Sequence, residues 1–96
     1  MSYLIQNRFT YSAISSNTSL ILNYYYSCTG SITLTLPAVN GSRAGDEIKV
    51  KNLGTGTITI NRTGSDTIDG ATSAALGVQY QMLSFVSNGS NAWEIN

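Results

Sequence analysis

The sequence predicts an all-β domain, a small antiparallel β-sandwich or jelly roll of about eight short strands. Three observations predict it. Apolar and polar residues alternate strictly through much of Asp46 to Gly70, as a sheet with one buried and one wet face requires. Turn residues recur along the chain at intervals of about ten residues. No stretch carries a helical period.

Taken in order, Tyr3 to Tyr11 places Tyr3, Ile5, Phe9 and Tyr11 at mostly odd spacing. It reads as an edge strand or as an extended arm reaching a neighbouring subunit. Ser15 to Ser19 is polar and reads as a loop. Residues 1–18 are therefore expected to form an N-terminal strand or arm, and 19–96 a single sandwich domain. Leu20 to Ser27 is dense in aromatic and branched residues and reads as a strand. Its parity puts Tyr24 and Tyr26 on one face and Tyr25 on the other. Ser31 to Leu36 alternates cleanly and is ended by Pro37, the only proline, which lacks a ladder donor. Ile48 and Val50, then Ile58 and Ile60, alternate with polar neighbours. The five residues Asn52 to Gly56 between them predict a hairpin. Thr67 to Asp69 reads as a short strand and Gly70 to Ala75 as a loop. Leu76 to Val78 begins a strand, and Tyr80 to Val86 continues it or forms another. Ser87 to Asn91 is a hairpin turn, and Ala92 to Ile95 closes the chain with Trp93 and Ile95 on one face.

The chain has 96 residues, no net charge, 42% hydrophobic residues and only 10% charged ones. Ordinary soluble domains carry roughly 25% charged residues. Ser, Thr, Asn and Gly replace the missing charge, so the usual repulsion between copies is weak. A chain of this length buries only roughly 60–65% of its extended surface, which leaves a single copy marginal. Both points favour cover by partner chains. The cations Arg8, Arg43, Lys49, Lys51 and Arg62 are scattered, which excludes a phosphate-tracking stripe and argues against nucleic acid. No basic-then-apolar leader and no membrane-length apolar run is present.

The residues offer little chemistry. There is no histidine and a single cysteine, Cys28, so zinc binding and a thiol paired with a base are excluded. Cys28 reads as a small buried hydrophobe. Asp66 and Asp69 lie three residues apart within Gly64 to Gly70. They suit a calcium loop or, more simply, turns in which each bonds its own backbone. No apolar pocket beside them would raise one pKa for glycosidase chemistry. Gly54-Thr55-Gly56 lies between strands and is not a phosphate loop. The chain is expected to be no enzyme and to carry no cofactor.

From Thr29 onward, a set of motifs in fixed order resembles a β-module of bacteriophage virion proteins. These are a strand ending Leu36-Pro37, a Gly-x-x-Ile-x-Val-x-Asn strand from Gly45 to Asn52, and Gly-Thr-Ile-Thr-Ile from Gly56 to Ile60. A Gly-x-x-x-Ile-x-Gly turn from Gly64 to Gly70 and a terminal Asn-Gly-x-x-x-Trp-x-Ile from Asn88 to Ile95 follow. The resemblance covers about two-thirds of the chain. It implies a trimeric structural protein of phage heads or tails, with no enzyme activity and no cofactor. Because the chain opens on Met1 and closes after the Trp strand, a free-standing capsid decoration, or cement, protein is the expectation. It would be made in the host cytoplasm and sit on the capsid surface.

On that reading a homotrimer bridges subunits of the major capsid protein. Tyr24, Tyr26, Met82 and Phe85 are the expected trimer contacts, from strand parity and aromatic enrichment. Tyr3, Ile5, Phe9 and Tyr11 are the expected capsid contacts, because an extended segment can add a strand to an exposed sheet edge. The alternative is a tail-fibre, receptor- or glycan-binding module, with Tyr24, Tyr25, Tyr26 and Trp93 as stacking surfaces, or another virion ring.

Overall fold

The computed structural model describes residues 9–96. Among the described residues, ten strands and a single 3₁₀ turn, Val39–Gly41, make up the regular structure. The strands are β1 (Thr10–Ile14), β2 (Thr18–Ser19), β3 (Tyr24–Cys28), β4 (Thr33–Thr35), β5 (Glu47–Asn52), β6 (Ile58–Asn61), β7 (Thr67–Ile68), β8 (Ser73–Leu76), β9 (Met82–Ser87) and β10 (Ala92–Ile95). One sheet has six strands in the order β1-β3-β5-β9-β10-β7, and the other has four in the order β2-β4-β6-β8. The all-β, two-sheet architecture is the one the alternation predicts.

The pairing differs from the antiparallel expectation. β1, β3 and β5 lie parallel to one another, as do β2, β4 and β6. Only β8 on β6, β9 on β5 and β10 on β9 are antiparallel, while β7 runs parallel to β10. The chain therefore winds. Each of the first three turns, here called rungs, places one strand in the large sheet, crosses the core, and places the next in the small sheet.

This winding overturns the expected hairpin at Asn52 to Gly56. β5 and β6 belong to different sheets and face each other across the core. Alternation fixes which residues point inward, but it reads the same for strands that pair and strands that oppose. Ile48, Val50, Ile58 and Ile60 are all fully buried, as their parity requires. The segment Leu53 to Thr57 is a crossing, stacked on the earlier crossing through Thr29 to Ile32. Leu53 N donates to Cys28 O at 2.8 Å, and Thr59 N to Ile32 O at 3.0 Å. The two crossings run so close that a Cβ on Gly56 would lie 2.8 Å from the Gly30 carbonyl carbon. Asn17 ties the first crossing to the second, with its Oδ1 accepting from Thr33 N at 2.8 Å.

Other boundaries shift for local reasons. Asn23 takes a left-handed backbone, φ 63°, which breaks Leu20 to Ser27 before Tyr24 and turns the chain back to the large sheet. Thr18–Ser19, expected in a loop, and Ser73–Leu76, expected mostly in one, are strands because β4 and β6 supply ladder partners. β1 and β2 belong to the same two sheets as the rest. The boundary expected after residue 18 thus cuts β2 and marks off no separate arm among the described residues. The turn at Asn88 forms as expected. Its side-chain Oδ1 accepts from the backbone of Ser90, Asn91 and Ala92, which fixes the β9–β10 hairpin.

Candidate functional site

The outer face of the six-stranded sheet gathers the surface aromatic residues. Tyr11 on β1 stands beside Tyr25 on β3, and Tyr25 beside Lys49 on β5. Inward parity takes Tyr24, Tyr26 and Cys28 into the core, so Tyr25 and Ser27 must point out. The Tyr11 and Tyr25 rings stack, with centroids 6.0 Å apart and planes 25° from parallel. Phe9, Tyr11, Tyr25, Ser27, Lys51 and Leu53 line an open groove of about 480 Å³. Ser27 is almost covered, whereas Tyr11 is 64% exposed.

Two lysines lie among these rings. The Lys49 ammonium sits 5.2 Å from the Phe9 centroid and is paired with Glu47 at 3.1 Å. The Lys51 ammonium sits 6.0 Å from the Tyr80 centroid, and no carboxylate of the described residues forms an ion pair with it. Exposed cation–ring contacts of this kind contribute about 0.5–1 kcal/mol. Tyr80 itself holds φ 71°, a left-handed conformation that costs a bulky residue of order 1–3 kcal/mol. Its N–H donates to Asn52 O at 2.6 Å, and its ring stays 63% exposed.

The side chains expected at a trimer contact do not share a surface. Tyr26 and Phe85 are buried in the chain's own core, and Tyr24 is half-buried against it. Tyr24 and Tyr26 stack on each other at 5.3 Å, and Tyr26 Oη accepts from Ile21 N at 2.9 Å. Their strand presents them to the opposite sheet, where Tyr26 is buried and Tyr24 partly so. Of the four, Met82 is exposed, at 42%. Trp93 is fully buried, so it is no stacking surface for a ligand, and its Nε1 has no acceptor among the described residues. Of the expected capsid contacts, Phe9 and Tyr11 lie on the outer face, and Tyr3 and Ile5 fall outside the described residues.

Asp66 and Asp69 do not converge on a common point. Asp66 Oδ2 accepts from Val39 N at 2.8 Å and Asp69 Oδ1 from Ile95 N at 3.2 Å. Each ties a distant strand or turn into place, where local turn bonding was the expectation. Cys28 is fully buried, and the loss of hydration pushes its thiol pKa up to about 11. Burial likewise raises Tyr26, against the lowering effect of the Ile21 N–H bond, with Tyr24 and Cys28 adding to the rise.

The residue that sequence reasoning missed is Asn52, first read as part of a turn. It is fully buried. Its Nδ2 donates to Gly56 O at 2.8 Å and Leu76 O at 3.0 Å, and its Oδ1 accepts from Gly54 N at 3.0 Å. The available signal was parity, since position 52 continues the inward series of Ile48 and Val50.

Fold and surface together define the class: a rung-wound β-sandwich that is closed inside and aromatic on one outer face. A scan against protein-family models finds no match, and no curated protein matches the chain.

Proposed function

We propose that the chain is a non-enzymatic structural protein of a bacteriophage virion, a homotrimeric capsid decoration protein that stabilises the head shell. The observation that carries this reading is the uncharged open end of the sandwich. No Asp, Glu, Lys or Arg occurs between Phe9 and Ser42, and this stretch builds the first two rungs whole. β1 and β2 are edge strands of their sheets among the described residues. Edge strands are ordinarily protected by lysine, proline or a bulge. β1, Thr-Tyr-Ser-Ala-Ile, has no lysine or proline.

Attachment by strand addition is supported by the hydrogen-bonding parity of β1. Thr10 N bonds Asn23 O, and Ile14 O accepts from Thr29 N, so even-numbered residues of β1 bond inward. Tyr11 and Ala13 then turn their N–H and C=O groups to the open edge. An extended segment of the capsid protein adds there as a further strand. Ile21, Val78 and Met82, all exposed, are aliphatic side chains open to a threefold contact among the described residues, in place of Tyr26 and Phe85.

The test is sedimentation of the chain with undecorated heads of its phage, together with its mass by light scattering. A trimer that co-sediments is expected. Ala13→Pro leaves the inward ladder of β1 intact and is expected to abolish co-sedimentation. Attachment unchanged by Ala13→Pro would rule out strand addition at β1. A fibre module that reads a host surface is the second reading, and the aromatic groove is the observation in its favour.

A further inference from the structure

We infer that the outer groove is a saccharide site selective for acidic sugars, in which a uronic or sialic acid residue stacks on Tyr11 and Tyr25 with its carboxylate at Lys51. The groove deepens the second reading above and does not depend on what the β1 edge binds.

Its size comes first. About 480 Å³ lies within the range of small-molecule sites and suits two or three sugar rings. Its chemistry comes next. A pyranose offers a flat face of C–H groups and a rim of hydroxyls. Tyr11 and Tyr25 offer stacked ring faces with phenolic groups at their tips, and Ser27 sets a hydroxyl in the lining. Small, separately placed polar groups around an apolar floor are what fix orientation in such sites.

Charge selects the acidic sugar. Among the described residues no carboxylate lines the groove, and Lys51 is the one cation in its lining. Glu47, the nearby acid on the same face, is already held by Lys49 at 3.1 Å. Among the described lining residues the charge is therefore that of the Lys51 ammonium, with no ion-pair partner among them. Tyr80 steadies the Lys51 ammonium through its ring face, and it keeps that ring exposed in a backbone conformation that few tyrosines adopt. Backbone strain of this kind collects at functional sites. A single-stranded nucleic acid would need a row of cations along its backbone, and the described residues of the groove supply one.

The test is an amide-shift titration of the full chain with a sialic acid trimer, a galacturonic acid trimer, neutral maltotriose and a thymidine oligonucleotide. The expected result is saturable shifts at Tyr11, Tyr25, Ser27 and Lys51 with at least one acidic trimer. Maltotriose is expected to bind roughly tenfold more weakly or worse. Tyr11→Ala, which removes an exposed ring and leaves the core alone, should lose most of the binding. Lys51→Met should erase the preference for acid. No shift with either acidic trimer at about 10 mM, shifts elsewhere on the chain, or equal acidic and neutral binding would each overturn the site. Tighter binding of the oligonucleotide at the same residues would reassign it to nucleic acid. Failure of head co-sedimentation leaves these outcomes untouched, and failure here leaves co-sedimentation untouched.

Discussion

Tyr24 and Tyr26 face inward from β3, and Tyr25, between them, faces out. The inner face of that sheet carries Tyr26, Cys28, Ile48, Val50, Phe85 and Trp93, all buried. The outer face carries Phe9, Tyr11, Tyr25, Lys49 and Lys51 around an open groove. The two faces use the same strands and overlapping residue types, yet they answer to different constraints. Inside, every side chain has a partner across the sandwich, and volume is what matters. Outside, the described rings stack on each other and lie beside lysines, and Tyr11 and Tyr80 stay largely exposed.

The contrast is open to direct attack. Trp93→Ala removes the largest buried side chain and should cost about 3–5 kcal/mol in chemical denaturation. A smaller loss would mean that the core collapses around the gap. Trp93→Phe should cost less, because it also removes the unpartnered Nε1 donor.

Raising the pH tests the inner face without mutation. The unfolded Cys28 thiol ionises near the ordinary thiol value of 9.0, but in the fold burial holds its pKa at about 11. Stability from this group is complete below about pH 9 and falls as the pH rises through about 11, by roughly 2–3 kcal/mol in all. The raised Tyr26 pKa acts in the same direction. Cys28→Ala should flatten most of this alkaline fall in melting curves. An unchanged slope would mean that Cys28 is not the titrating group.

Asn52→Ala should cost about 1–3 kcal/mol, since it strands the Leu76 and Gly56 carbonyls and the Gly54 N–H. Melting temperature reads the loss, and a neutral result would show that water replaces the amide. Tyr11→Ala, on the outer face, should move stability by no more than about 0.5 kcal/mol. A fall comparable to that of Trp93→Ala would end the distinction between the two faces.

Much of the inner face was legible in the sequence. Ile48, Val50, Ile58 and Ile60 are inward residues by parity alone, and all are buried. Parity also separated Tyr25 from Tyr24 and Tyr26, but it could not say which side was the core. Core packing with one exposed ring and a partner contact through Tyr24 and Tyr26 therefore fit the sequence equally, and it is the two rings expected at a trimer that pack inside. Pairing was not legible either. A short crossing between opposed strands and a short hairpin loop have similar composition, because both need Gly and Asn for tight backbone. What distinguishes them is Gly56 meeting Gly30, a proximity between rungs that no local pattern carries. The groove joins β1, β3 and the end of β5, so it too exists only once the winding is known.

The winding also governs how the chain reaches its fold. Nearly every ladder partner in the first three rungs belongs to the next turn of the chain, as Thr10 is to Tyr24 and Tyr25 to Lys49. Such pairing closes a long loop before any bond rewards it. Folding of this chain belongs in the slow, millisecond-to-second range of proteins dominated by non-local pairing. Because each rung contributes to both sheets, neither sheet can form or melt ahead of the other. Amide protons in β3 and β4 should therefore exchange through the same opening event.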